Sequence, residues 1–130
     1  PDIAFATKEC ARAMSAPTEK GQVAFKRRGR YLLKVPRRQL WYRWQPAPEI
    51  LTTYTGSDGA GCQTTGKSTS GGAIVRGEHL INSWASTQKA VTLSSGESEL
   101  VAATQASCDV PGLQQLSRGW GQRRGVRSAN

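Results

Sequence analysis

Apolar residues recur at helical spacing over the first third of the chain, give way to short β-type runs from Gln39, and return to helical spacing after Leu93. Ile3, Ala6, Cys10, Ala13 and Met14 mark one face of a helix over Asp2–Ser15, with Asp2 placed to cap it and Pro17 to break it. A second helix is predicted from Thr18 to Lys34, its stripe running through Val23, Ala24, Tyr31, Leu32 and Val35 until Pro36 stops it. Arg28 falls inside that stripe, where a charge weakens the helix's hold on a core.

The β-type runs are Gln39–Trp44, Ile50–Thr55 and Thr69–Arg76, the last pairing through a Gly77-Glu78 turn with His79–Ala85. Ser94 or Ser95 then caps a helix with Glu97 and Glu99 in its first turn, where the helix dipole favours acids. Ala102, Ala103, Ala106, Leu113 and Leu116 would line its buried side. An interior proline costs about 3 kcal/mol, so Pro111 predicts a kink or an end near Asp109. The class is α+β: a two-helix segment, an antiparallel three-stranded meander, then a helix. The division is 1–35, 36–120 and a disordered basic tail over 121–130.

At 130 residues the chain suits one domain of ordinary size, or a small one with an appendage. No run approaches the ~20 apolar residues of a spanning helix, and no basic patch leads into an apolar segment at the start, so no membrane partner or secretory leader is expected. Pro1 in place of Met reads as an internal piece of something longer. Cys10, Cys62 and Cys108 are odd in number and lack CxxC pairing, which fits reduced thiols in an intracellular protein, cytoplasmic or nuclear alike.

Charge alters the picture more. Eighteen Lys and Arg face nine acids, and no acid lies between Lys20 and Gln45, where Lys26, Arg27, Arg28, Arg30, Lys34, Arg37, Arg38 and Arg43 fall. A second basic run, Arg118, Arg123, Arg124 and Arg127, follows Asp109. Tyr31, Trp41, Tyr42 and Trp44 are interleaved with the first run. Cations beside aromatics suit a phosphate-backbone partner with bases to stack on, so nucleic acid is the expected partner and Lys26, Arg27, Arg28, Arg37, Arg38 and Lys67 its expected contacts. The plainer alternative is a solvated basic face with core aromatics.

Residues 61–68, Gly-Cys-Gln-Thr-Thr-Gly-Lys-Ser, match the GxxxxGK[ST] phosphate loop letter for letter. A working loop opens a helix, whereas Thr69–Val75 reads as a strand, and no later apolar strand ends in the Asp of a magnesium site. Nucleotide binding through Lys67 and Ser68 therefore stands as an alternative to a Gly- and Thr-rich hairpin loop. His79, the single histidine, falls in a predicted turn, which leaves no Ser-His-Asp hydrolase and no metal-binding His pair.

Four stretches occur in order: Tyr54-Thr55-Gly56-Ser57-Asp58-Gly59-Ala60-Gly61, Lys67-Ser68-Thr69-Ser70-Gly71, Ser83-Trp84-Ala85-Ser86-Thr87-Gln88-Lys89, and Leu93-Ser94-Ser95-Gly96-Glu97-Ser98-Glu99-Leu100. Together they resemble the ribonuclease H region of copia-type retrotransposon polyproteins. Pro1-Asp2-Ile3-Ala4-Phe5, Met14-Ser15 with Pro17-Thr18, and Arg30-Tyr31-Leu32 resemble the stretch that joins reverse transcriptase to it. The resemblance runs to about Trp120.

It implies a partial ribonuclease H-like fold whose first strand pairs with the second on one side and with the strand after the first helix on the other. The implied activity is magnesium-dependent cleavage of RNA in RNA–DNA hybrids, with two ions clamped by carboxylates from several elements. The first-strand acid of the family stands at Gly56 here and its Trp at Gly59, while the helix Glu maps onto Glu99. Asp58 matches the motif's second Asp, so Glu99 and Asp58 are the catalytic and metal-binding residues that remain. The family's later acids are expected past Asn130. The resemblance thus implies an inactive fragment that retains nucleic-acid binding at most, and a first strand with an open edge that invites self-association. An active enzyme using Glu99 and Asp58 is the alternative.

Overall fold

A computed structural model describes residues 2–119 and, as backbone, 125–129. The chain forms two compact units, Pro1–Tyr42 and Arg43–Asn130.

The first unit is helical. Helix α1 spans Ala4–Arg12, shorter than its apolar pattern suggests. Ile3 occupies its N-cap with no side-chain cap bond, because the Asp2 carboxylate is taken elsewhere, accepting a 2.5 Å bond from the Tyr31 hydroxyl. Helix α2 spans Glu19–Lys34, and the Thr18 hydroxyl caps it by accepting from the Gly21 N–H at 3.1 Å. Gly21, Arg28, Tyr31 and Val35 form its half-buried side, whereas Val23 and Leu32 of the predicted stripe are exposed. Neither helix buries a residue fully.

The second unit carries the sheet. Strand β1 is Ile50–Ser57, β2 is Thr69–Arg76 and β3 is His79–Thr87, paired antiparallel in sequence order. Gly77, at φ 60°, makes the β2–β3 turn where a side chain would strain the backbone. The predicted strand over Gln39–Trp44 does not form. Beyond it, Gln45 clamps the hairpin turn, donating from Nε2 to the Arg76 carbonyl at 2.9 Å and accepting from the Glu78 N–H at 3.0 Å. The chain just before Ile50 is thus held by side-chain bonds at the end of the hairpin, with no strand ladder.

Helix α3 runs Ser95–Gly119 without ending at Pro111, so of the predicted kink or end near Asp109 the end does not occur. Val110 and Leu113 pack on either side of that proline against Leu51, Ile74 and Trp84, so burial holds both halves of the helix to the sheet. Ser98, Ala102, Ala106, Val110 and Ser117 form the buried side of α3.

A fourth strand, β4 at Gly125–Ala129, lies parallel to β1, from Ile50 opposite Gly125 to Tyr54 opposite Ala129, giving the order β3-β2-β1-β4. This corrects two expectations. Residues 125–129 are a strand and not disordered tail, and β1 is an inner strand with no open edge to offer a second copy. Gly121–Arg124 and Asn130, the rest of the expected tail, lie outside the described residues, as does Trp120.

The core is small, and its shape depends on a glycine. A Cβ on Gly72 would stand 2.2 Å from the Trp84 indole, which lies across that position from β3. Neighbouring Gly71 meets nothing closer than the Trp84 carbonyl oxygen at 3.7 Å. Gly72→Ala should therefore destabilise the sheet unit by about 1–3 kcal/mol in urea unfolding, the cost of overpacking, and Gly71→Ala should cost less than about 1 kcal/mol. Equal effects would remove the indole from this role.

Candidate nucleic-acid interface and candidate acidic site

Ten of the 18 Lys and Arg but only three of the nine acids fall within residues 1–42. Helical geometry sorts them further. Lys20, Arg27 and Lys34 recur every seven residues; Arg30 falls three and four residues from Arg27 and Lys34, and Lys26 falls four from Arg30 and three from Val23, so these five share one exposed face of α2 around Val23. From Lys20 to Lys34 the face is about 21 Å long, the span of about six phosphates along one strand.

The expected phosphate contacts divide accordingly. Lys26 and Arg27 lie on this face, and Arg37 is exposed beyond the helix. Arg28 lies on the opposite, half-buried side, with its Nε buried and without a partner among the described residues. Arg38 is engaged: Nη2 donates to the Tyr31 hydroxyl at 2.9 Å and Nε stands 3.3 Å from the Asp2 carboxylate. Tyr31 is therefore occupied as well. Lys67 belongs to the sheet unit. Lys20, Arg30 and Lys34, which were not among the expected contacts, share this face with Lys26 and Arg27, and their seven- and four-residue spacing was the available signal.

In the sheet unit, the end of β1 meets the start of α3. Ser94 caps α3 by accepting from the Glu97 N–H at 3.1 Å, and Glu97 reaches back to accept from the Leu93 N–H at 2.7 Å. That leaves the next acid, Glu99, to accept from the Ser57 N–H at 3.2 Å. Beside it the Ser57 and Ser98 hydroxyls share a 2.7 Å hydrogen bond. Glu99 thus stands at the end of β1. Asp58 turns to β2, where its Oδ1 accepts from the Thr69 N–H at 2.5 Å and its own N–H donates to the Thr69 carbonyl.

A two-magnesium centre needs several carboxylates converging on one point. Here Glu99 and Asp58 accept from N–H groups of different strands. Gly56 has no side chain, although a Cβ there would meet nothing within 4 Å. Strand β4, which follows α3, contains no acid over Gly125–Ala129. Among the described residues no three His, Cys, Asp or Glu gather as metal ligands. This donor set does not fit a pair of magnesium ions.

The 61–68 loop is closed on itself. Thr65 and Gly66 N–H groups both donate to the Cys62 carbonyl, and the Cys62 N–H donates to the Lys67 carbonyl at 3.1 Å. Ser68 is fully buried, its hydroxyl accepting from the Ala60 N–H at 2.7 Å and sharing a 3.2 Å bond with Thr92. A phosphate cradle needs such N–H groups aimed outward at the start of a helix, and this loop leads into β2.

No helix among the described residues is long and apolar enough to cross a membrane. No family profile, curated protein or solved structure matches the chain.

Asp2 sets the pH behaviour of the helical unit. The hydrogen bond from Tyr31, with the Arg38 charge beside it, holds its carboxyl below the ordinary carboxylate range. A depressed pKa in the folded state means the contact is fully present above the ordinary value and is lost as pH falls through the lowered one. Arg38 side-chain N–H resonances should therefore hold their positions on mild acidification and move only below the ordinary carboxylate pKa. Asp2→Asn should give the shifted positions at every pH, and unchanged spectra in that variant would remove Asp2 from this role.

Proposed function

We propose that the chain is a piece of a copia-type retrotransposon polyprotein in which a ribonuclease H-like unit, disabled for cleavage, accompanies a helical unit that binds nucleic acid through its phosphates. The observation that carries the binding is the α2 face of Lys20, Lys26, Arg27, Arg30 and Lys34, exposed together, with Glu19 in the first turn the one acid on that face. Five cations on one face repel one another unless a polyanion lies against them. An RNA–DNA hybrid is the substrate class that the resemblance brings with it.

The family part of the reading is supported by strand order. A first strand flanked by the second and by the strand after the first helix is the arrangement the resemblance implies, and β1 lies between β2 and β4. Glu99 reaching the end of β1 agrees with the role its motif would give it. Loss of cleavage follows from Gly56 and from an acid-free β4, since losing a principal metal ligand removes most of the rate of a two-metal enzyme.

Binding of a labelled hybrid should be blind to sequence and weaken steeply between about 50 and 200 mM salt. Replacing Lys20, Arg27 and Lys34 together by Gln should lower the log–log salt slope by about 2–3, at roughly 0.7–0.9 per phosphate contact. Arg28→Gln should leave the slope unchanged, because that side chain faces away from the basic side. A slope that the triple variant does not alter would overturn the interface.

Incubation of the same hybrid with magnesium should release no RNA fragments, and neither Glu99→Gln nor Gly56→Asp alone should change that. Cleavage by the native chain that Glu99→Gln abolishes would establish the active-enzyme alternative and turn attention back to Asp58.

A further inference from the structure

After α2 ends at Lys34 the chain takes no regular structure until Ile50, and within that stretch Leu40, Trp41 and Tyr42 are exposed one after another. Trp41 is 76% exposed. An indole left this far in water forfeits a large part of the burial free energy that folding ordinarily recovers from tryptophan. No core claims it in the helical unit, where neither helix buries a residue.

The root of the segment is fixed. Arg38 is tied to Tyr31 in the last turns of α2 and to Asp2 before α1. Three residues separate Trp41 from Arg38, so its Cα lies within about 10 Å of an anchored position. Arg37, beside the anchor, is exposed and free to meet a phosphate. The segment itself adds only positive charge, since no acid occurs from Lys20 to Gln45, and the carboxylate at its root, Asp2, is already paired with Arg38. A protruding indole on a basic segment suits a polyanion that offers aromatic faces.

We propose that the Arg37–Tyr42 segment is a base-stacking platform that gives the helical unit a preference for unpaired nucleic-acid strands, with Trp41 stacking on a base and Arg37 on the adjoining phosphate. This rests on the nucleic-acid reading of α2 and adds its substrate class. In a duplex every base face is covered by its neighbours, so the indole gains nothing there except at an end. On a single strand each base exposes a face, and stacking is tolerant of sequence.

The test compares an all-thymine DNA oligonucleotide, which cannot pair with itself, with a blunt DNA duplex of equal length at the same salt. The native chain should favour the single strand by roughly five- to a hundredfold, the range that one stacked base supplies. Trp41→Ala should remove most of that preference while leaving duplex affinity within about twofold and the salt slope unaltered. Trp41→Phe should keep a substantial part of it. Tryptophan fluorescence should be quenched by the oligonucleotide in the native chain, and less so in Trp41→Phe at saturation.

Salt-dependent binding of both ligands with no single-strand preference would overturn the stacking proposal and leave the α2 interface standing. Equal losses for both ligands in Trp41→Ala, with unchanged circular dichroism, would also overturn it by making Trp41 a general contact. Failure of both ligands to bind at low salt would overturn both readings together.

Discussion

The second unit is organised by one buried amide. Gln88, 5% exposed, donates from Nε2 to the Ser70 hydroxyl of β2 at 3.0 Å and to the Ser98 carbonyl of α3 at 2.9 Å, while its backbone N–H donates to the Ser68 carbonyl. Ser98, fully buried, carries the connection on to Ser57 of β1. Breaking such a network leaves buried donors and acceptors unsatisfied, so its members are held more firmly than single bonds in water would be. It also fixes the rotation of α3. With Ser98 turned inward, Ala102, Ala106 and Val110 follow at four-residue steps onto the sheet, and Glu99, one position on, falls at the end of β1. The site geometry is therefore a consequence of a packing device several residues away from any chemistry.

That device also explains how a sheet face so poor in large apolar residues stays covered. Ser57, Ser70 and Ser86 occupy the end where a larger core would place aliphatic side chains; Ser57 and Ser86 bond to α3, Ser86 reaching Gln105 at 3.1 Å, and Ser70 accepts from Gln88. Apolar packing is confined to the opposite end, around Leu51, Ile74, Trp84, Val110 and Leu113. The helix is thus bonded at its start and packed farther along. Pro111 is tolerated because it falls within the packed section, where the neighbours on both sides are committed to the core.

Local chemistry made much of this legible. The β2–β3 hairpin follows from Gly77 with β-branched and apolar residues on both sides, and the start of α3 follows from Ser94 and Glu97, because each depends on residues within a few positions. Strand β4 could not be read that way. Gly-Val-Arg-Ser-Ala has neither alternation nor bulk, and its pairing with Ile50–Tyr54 joins positions some 75 residues apart through α3. Gln39–Trp44 erred in the other direction: its aromatics give it β propensity, but no strand pairs with it, so propensity had nothing to act on. Around the acids, the spacing of Glu97 and Glu99 pointed to a helix start, yet only the structure shows one serving as a cap and the other reaching β1.

The same distinction between sequence and face governs the basic segment. Read along the chain, Lys26, Arg27 and Arg28 form one cluster; on the helix, Arg28 turns away from the other two and Lys20 and Lys34 join them. Residues 1–42 hold most of the positive excess, and the two helices among them have no fully buried residue to offset repulsion between like charges three and four positions apart. Asp2, Tyr31 and Arg38 make the long-range polar tie that closes this unit. A surface that disfavours its own compact state is in effect a stored preference for a polyanion, because ligand phosphates relieve the repulsion at the moment they bind. The sheet unit, with eight cations against six acids in residues 43–130, carries no comparable bias. Under the proposed reading, charge segregation of this kind places the polyanion contact on the helical unit and not at the end of β1.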